Sequence, residues 1–178
     1  MSLSTLNIDR SWTLFLDRDG VINKRIVGDY VKKWEEFEFL EDVLKAIEIF
    51  DAKFGRIVIV TNQQGIGKGL MRHEDLELIH KNMQYEIAYF KGRIDRIYFS
   101  PYLAAENHPD RKPGIGMAMK AKKDFPEIDF SKAIMVGDSG SDIEFGKAAG
   151  MKTVFIGETN KYKADFLFHD LYAFARGL

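Results

Sequence analysis

The chain alternates between short apolar runs and longer stretches in which apolar residues return every three or four positions. Trp12–Leu16, Arg56–Val60, Arg93–Phe99, Ala133–Val136 and Lys152–Ile156 read as near-continuous runs of Val, Ile, Phe and Leu. Runs of that length suit strands covered on both faces, as in a parallel sheet. In Asp42–Phe54, Val43, Ile47, Phe50 and Phe54 are spaced four, three and four, which is one helix face, and Gly55 can close it. From about His73 to Phe90, Leu76, Ile79, Met83, Ile87 and Phe90 form a second stripe. Glu74 and Asp75 fall in its first turn, where the helix dipole favours negative charge. A third helix is expected after Pro113, ending near Phe125-Pro126. A fourth covers Ser141–Ala149, with Ser141 as a candidate cap and Gly150 as its stop. Phe166, Phe168, Tyr172 and Phe174 are expected to pack in the C-terminal part of the core.

Strand and helix in alternation predict an α/β fold: a three-layer α/β/α, Rossmann-like parallel sheet with right-handed crossovers. No repeat, low-complexity tract or linker interrupts the chain, so one domain over residues 1–178 is expected. Two irregular inserts, about 23–36 and 100–116, are the candidate cap loops, since long loops at the ligand end of a sheet often cover a site.

Composition narrows the functional classes. With 178 residues, 46% hydrophobic and 30% charged, the chain can bury a full core and is not disordered. A net charge of −1 argues against a strongly basic nucleic-acid binder. The absence of cysteine excludes disulfides and thiolate metal sites. No apolar run is long enough to span a bilayer, and Met1–Arg10 lacks a secretory pattern. A cytoplasmic, monomeric protein is the expectation.

In open parallel sheets, ligands bind beyond the carboxyl ends of the strands. The first candidate strand is followed by Asp17-Arg18-Asp19-Gly20, the second by Thr61-Asn62-Gln63-Gln64-Gly65, and the fourth by Gly137-Asp138-Ser139-Gly140-Ser141-Asp142. The third leads into the loop that ends at Arg111-Lys112-Pro113. Neighbouring carboxylates repel unless a cation or a shared proton compensates. Four aspartates, a hydroxyl, side-chain amides and a lysine on one rim suit a phosphoryl group held with Mg²⁺, which takes hard oxygen ligands. The hydroxyl and the lysine can donate to phosphoryl oxygens as charge develops.

These four segments, in this order, resemble the motifs of the haloacid dehalogenase-like phosphohydrolases, and the resemblance covers nearly the whole chain. Phe15-Leu16-Asp17-Arg18-Asp19-Gly20-Val21-Ile22-Asn23, Thr61-Asn62-Gln63-Gln64-Gly65-Ile66 and Arg111-Lys112-Pro113 are similar to the histidinol-phosphate and D,D-heptose-bisphosphate phosphatase branch. The resemblance implies roles. Asp17 would be the nucleophile that forms an aspartyl-phosphate. Asp19 would protonate the leaving oxygen and then deprotonate water. Asp17, the backbone carbonyl of Asp19 and Asp138 would hold Mg²⁺. Thr61 and Lys112 would stabilise the transferring group, with Asp142 orienting the lysine or a metal-bound water. Arg111 and the Asn62-Gln63-Gln64 turn would meet the substrate, a small phosphorylated metabolite such as D,D-heptose 1,7-bisphosphate or histidinol phosphate. A free Asp titrates near 3.9, so Asp17 is expected to be ionised, while neighbouring carboxylates are expected to raise Asp19.

Relatives in this branch commonly carry a zinc loop of three Cys and one His after the third strand. The corresponding stretch here, Ser100 to Asp110, has no Cys, so no zinc is expected and packing of Pro101, Tyr102 and Leu103 must hold the loop. Two other functions are weighed. The turn from Thr61 to Gly67 also resembles polynucleotide 3′-phosphatases, against which stands the acidity of the chain. A non-catalytic phosphate-binding protein is the second, against which stand the intact Asp17, Asp19, Thr61, Lys112 and Asp138. Gly65-Ile66-Gly67-Lys68-Gly69 lacks the first Gly and the hydroxyl of a nucleotide-binding P-loop. His73, His80, His108 and His169 show no ligand spacing and are expected at the surface or in caps.

Overall fold

Alternate residues of the first strand part to opposite sides of the molecule. In the computed structural model, which describes residues 3–178, Leu14 and Leu16 enter one apolar cluster and Phe15 enters another. The first two residues of the Met1–Arg10 stretch lie outside the described residues. Chain order is β1 (Thr13–Leu16), α1 (Val43–Lys53), β2 (Arg56–Asn62), α2 (His73–Tyr89), β3 (Arg96–Ser100) and α3 (Gly116–Asp124). There follow β4 (Ala133–Gly137), α4 (Gly140–Ala148), β5 (Lys152–Ile156), β6 (Phe166–Phe168) and α5 (Leu171–Arg176). The six strands form one parallel sheet in the order β3-β2-β1-β4-β5-β6. This is the α/β/α Rossmann-like arrangement, with its order reversing between β1 and β4.

The two faces are filled by different helices. Val43, Ala46, Ile47 and Phe50 of α1, Leu76, Ile79, Met83 and Ile87 of α2, and Leu171, Phe174 and Ala175 of α5 pack with Leu14, Ile57, Ile59 and Ile134. On the other face Met117, Ala118 and Ala121 of α3 and Phe145 of α4 pack with Phe15, Val58, Val60 and Met135. Side chains that are fully buried on both faces explain why β1, β2 and β4 read as unbroken apolar runs. Among the described residues, no helix is long and apolar enough to cross a membrane.

Several expectations are corrected. The third strand begins at Arg96 and not at Arg93. Arg93 bonds Asp51 (2.7 Å) and the carbonyl of Phe54, and the Asp95 carboxylate accepts from the backbone N–H of Ile57 at 2.7 Å. These polar bonds tie residues 93–95 across the start of β2 before the ladder begins. Phe90 follows the last turn of α2 and is half exposed, because the chain leaves the helix there through Lys91 at φ 61°. Ser139, and not Ser141, is the N-cap residue of α4. The C-terminal aromatics do pack, but they form a sixth strand and a fifth helix, too short to show a period.

Both inserts are anchored. Lys24 and Leu40 donate backbone bonds to Glu38 (2.8 Å) and Ile22 (3.0 Å), so residues 22–24 and 38–40 close a flap whose Val31 and Phe37 are buried. In the other loop the rings of Tyr102 and His108 stack at 3.4 Å, Arg111 donates to the Tyr102 carbonyl, and Lys120 pairs with Asp110 at 2.5 Å. The N–H of Gly67 bonds the Pro101 carbonyl (3.2 Å) and ties that loop to the turn after β2.

Phe174 tests how far α5 belongs to the core: it is fully buried, 5.4 Å from the Phe50 ring and 5.5 Å from that of Phe168. Phe174→Ala is expected to lower stability by about 3–5 kcal/mol in urea denaturation with a single transition. A loss below about 1 kcal/mol would show that α5 is peripheral.

Candidate active site

The first residue beyond β1 continues the ladder: the N–H of Asp17 bonds the Val136 carbonyl of β4 at 3.0 Å. Its side chain is thereby set at the point where the sheet order reverses. The chain then turns sharply, with the N–H groups of Ile22 and Asn23 converging on the Arg18 carbonyl and Gly20 bonding the Asn23 carbonyl. Gly20 adopts φ +90°, and a Cβ there would sit 2.1 Å from Oδ2 of Asp138. Only glycine fits this turn, and its absent side chain is what lets the β1 and β4 loops meet.

One buried cation organises the acids. Lys112 Nζ lies 2.8 Å from Oδ1 of Asp17, 2.6 Å from Oδ1 of Asp142 and 2.7 Å from the carbonyl of Val60. Asn62 fixes the backbone of Lys112, accepting from its N–H and donating to its carbonyl. Asp142, fully buried, also accepts from the N–H and hydroxyl of Ser139 at 3.0 and 2.6 Å. Burial works against the charge of Lys112, but Asp142 and Asp17 outweigh it and hold its pKa above the ordinary value. Asp17 is pushed up to about 7 by burial and by the charge of Asp142, against the pull of Lys112. Asp138 is raised to about 6, first by burial and then by Asp142, while Arg25 pulls it down. Without a further cation Asp17 is not an ordinary carboxylate, because burial and the charge of Asp142 together outweigh the one lysine.

Asp17, Asp138 and Asp142 each present an oxygen within 4.8 Å of the others. The carbonyl of Asp19 and Oδ1 of Asp138 face a common point, since Arg25 Nη2 is 3.5 Å from the first and 3.1 Å from the second. A cluster of hard oxygens with unsatisfied negative charge fits a divalent cation, which would bring the carboxylate pKa values down again.

Asp19 departs from expectation. Its side chain stands outside that acid cluster and accepts from Arg18 Nη2 (3.0 Å), Asn23 Nδ2 (2.9 Å) and Gln63 Nε2 (2.7 Å). Burial raises its pKa, but the Arg18 charge and the bonds from Asn23, Arg18 and Gln63 prevail and hold it below the usual carboxylate range. Gln63 donates through its amide nitrogen to Asp19 and to Thr61 Oγ1 (2.9 Å) and lies outside the cavity lining, so it positions these two groups. Arg18 is fully buried and its Nη1 lies 3.0 Å from Nε2 of His80. His80, expected at the surface, is buried, and burial together with Arg18 pushes its pKa down to about 3. It stays neutral and accepts from the guanidinium. Arg18 and His80 escaped the sequence reading; the available signal was that position 80 falls beside Leu76 and Met83 on the buried stripe of α2.

The cavity above these groups has a volume of about 420 Å³. Asp17, Asp19, Thr61 and Lys112 lie in it with Asn62 and Gln64, and Arg25, Tyr30, Lys68 and Arg111 extend its wall. The flap thus supplies Arg25 and Tyr30, the turn after β2 supplies Lys68, and the loop after β3 supplies Arg111. Lys68 donates to the Tyr30 hydroxyl at 3.0 Å. Among the described residues, neither Lys68 nor Arg111 is paired with a carboxylate.

Gly20→Ala forces both a strained φ and a collision with Asp138. It is expected to lower stability by about 1–3 kcal/mol and to weaken divalent-cation binding, read by urea denaturation and by calorimetric titration with Mg²⁺. Unchanged cation binding in a folded variant would separate Gly20 from the arrangement of Asp138.

Comparison with known proteins agrees with this geometry. Residues 13–177 match the family model described as polynucleotide kinase 3 phosphatase. The chain is 38% identical over 170 residues to a D-glycero-alpha-D-manno-heptose-1,7-bisphosphate 7-phosphatase of Mycobacterium bovis, covering 92% of this chain and 90% of that one. It is 39% identical over 153 residues to the enzyme of the same name from Campylobacter jejuni, covering 86% of each. The crystal structure of D,D-heptose 1,7-bisphosphate phosphatase from B. bronchiseptica, complexed with magnesium and phosphate, superposes with a TM-score of 0.84 at 28% identity over 93% of this chain and 96% of that one. A four-motif rim of acids, hydroxyl and lysine at the switch point of a Rossmann-like sheet, matched along its length by these relatives, has one reading: the chain belongs to the haloacid dehalogenase-like phosphatases, hydrolases of phosphomonoesters.

Proposed function

We propose that the chain hydrolyses a small sugar bisphosphate, with a D,D-heptose 1,7-bisphosphate as its leading substrate. The observation that carries this reading is the cationic wall: Arg25, Lys68 and Arg111 share one cavity with Asp17, and two of them lack an acidic partner among the described residues. A second phosphate on the substrate would meet those charges. Histidinol phosphate carries an ammonium group in its place, which the same wall repels. The relatives named above support the choice of a heptose bisphosphate.

In this reading Asp17 attacks the phosphorus and forms an aspartyl-phosphate, and the oxygen of the sugar leaves. Asp19 must take up a proton before substrate binds, because its neighbours hold it ionised in the free chain. It gives that proton to the leaving sugar oxygen and then takes one from the water that attacks the phosphorus, which releases inorganic phosphate and restores Asp17. Arg18, Asn23 and Gln63 hold its carboxylate in one orientation. Thr61 and Lys112 donate to the equatorial oxygens as charge develops, and Asp142 holds Lys112 in place. Mg²⁺, held by Asp17, the carbonyl of Asp19 and Asp138, would neutralise the approaching phosphoryl oxygens. We propose also that the enzyme is a cytoplasmic monomer and a single catalytic unit, in which segments 23–36 and 100–116 take the place of a separate cap; residues of both segments line the cavity.

A polynucleotide 3′-phosphatase is the second reading, favoured by the family model's description. Duplex binding needs a basic track beyond the cavity, and the net charge of −1 speaks against one.

Asp17→Asn is expected to abolish turnover of a sugar bisphosphate while leaving the unfolding midpoint within a few degrees, and a chelator to silence the native enzyme until Mg²⁺ is restored. Turnover in Asp17→Asn at the native rate would remove Asp17 as nucleophile. Arg111→Ala is expected to raise KM for the bisphosphate about tenfold or more and KM for the matching monophosphate much less, because one charge-assisted contact is worth about 1.5–3 kcal/mol. A steep salt dependence on an oligonucleotide 3′-phosphate, with faster turnover than on any sugar phosphate, would favour the second reading.

A further inference from the structure

Two organic cations hold the acid cluster, and they differ in how they are held. Lys112 is buried and surrounded by Asp17, Asp142 and the Val60 carbonyl. Arg25 comes from the flap, its side chain is 48% exposed, and among the described residues its one ion pair is with Asp138. Yet its Nη2 touches Oδ1 of Asp138 and approaches the carbonyl of Asp19. Those are two of the oxygens assigned above to Mg²⁺. A half-exposed guanidinium therefore stands at the cation's seat.

We propose that Arg25 and the divalent cation exclude each other at this seat: Arg25 is the counter-ion of Asp138 when the cation is away, and the arriving cation turns the guanidinium into the cavity, where it meets the distal anionic group of the substrate. The inference rests on the reading of Asp17, the Asp19 carbonyl and Asp138 as the metal's oxygens. Its physical basis is simple. An exposed arginine–carboxylate pair contributes little, so a doubly charged ion with a strong demand for oxygen displaces it. Like charges a few ångströms apart repel, so the two cannot share the oxygens. Arg25 already lines the wall that contains Lys68 and Arg111. Once released, its planar fork is well suited to a phosphate. The same residue would thereby link metal loading to the affinity for a second negative group.

The test begins without substrate, by calorimetric titration of Mg²⁺ into the full chain and into Arg25→Ala and Arg111→Ala. Arg25→Ala is expected to bind Mg²⁺ about three- to tenfold more tightly, the effect of removing a competing ion pair of modest strength. Arg111→Ala removes a charge from the same wall without touching Asp138, and is expected to change the Kd less than about twofold. Equal or weaker Mg²⁺ binding in Arg25→Ala overturns the exclusion, and so does equal tightening in Arg111→Ala, which would mark a general field effect. With saturating Mg²⁺, Arg25→Ala is expected to raise KM for a sugar bisphosphate more than KM for its monophosphate; equal changes overturn the substrate contact. Should Mg²⁺ bind neither the native chain nor the variants, the metal reading falls and this inference with it. Should all bind it with one Kd, only this inference falls.

Discussion

The ammonium of Lys112, enclosed by Asp17 and Asp142, is the interaction on which the site depends. Burying two carboxylates costs more than the sheet around them returns unless a cation joins them, and leaving such a charge alone typically costs about 3–5 kcal/mol. The lysine arrives from a loop after β3, whereas its acids arrive after β1 and at the start of α4. One ion cluster therefore binds three distant parts of the chain. Asn62, at the end of β2, holds the lysine's backbone and makes a fourth.

A second layer lies behind the first. Arg18 turns from Asp17 toward His80, and on the way it holds the carboxylate of Asp19. The guanidinium is wholly enclosed, so its partners must be neutral or negative. His80 meets that demand by remaining uncharged. Gln63 closes the same network by joining Asp19 to Thr61. Asp19 and Thr61 are thus positioned by one amide.

Much of this was legible in the sequence, and for a definite reason. Strands buried on both faces leave long apolar runs, so β1, β2, β4 and β5 announced themselves, and the polar residue that follows each run had to lie on the rim. Asp17, Thr61 and Asp138 were found in that way. The edge of the sheet was less readable: Arg93 and Asp95 interrupt the run before β3 with bonds to Asp51 and Ile57, and β6 has three residues. Direction was harder than position. Nothing in Asp17-Arg18-Asp19 says that the second carboxylate turns to its neighbour Arg18 while the first joins Lys112. Nor does Asn62-Gln63-Gln64 reveal that Gln63 donates to Asp19, since that is a contact across 44 residues.

The flap between Lys24 and Glu38 is pinned at its base by two backbone bonds and carries its own small apolar anchor in Val31 and Phe37. It leaves the chain just after the Asp17–Gly20 turn and rejoins it just before α1. A segment built like this is modular. Its outer residues can be exchanged, lengthened or shortened without disturbing the sheet, so descendants of one ancestor can inherit the same bond-breaking machinery and diverge in the molecules they accept.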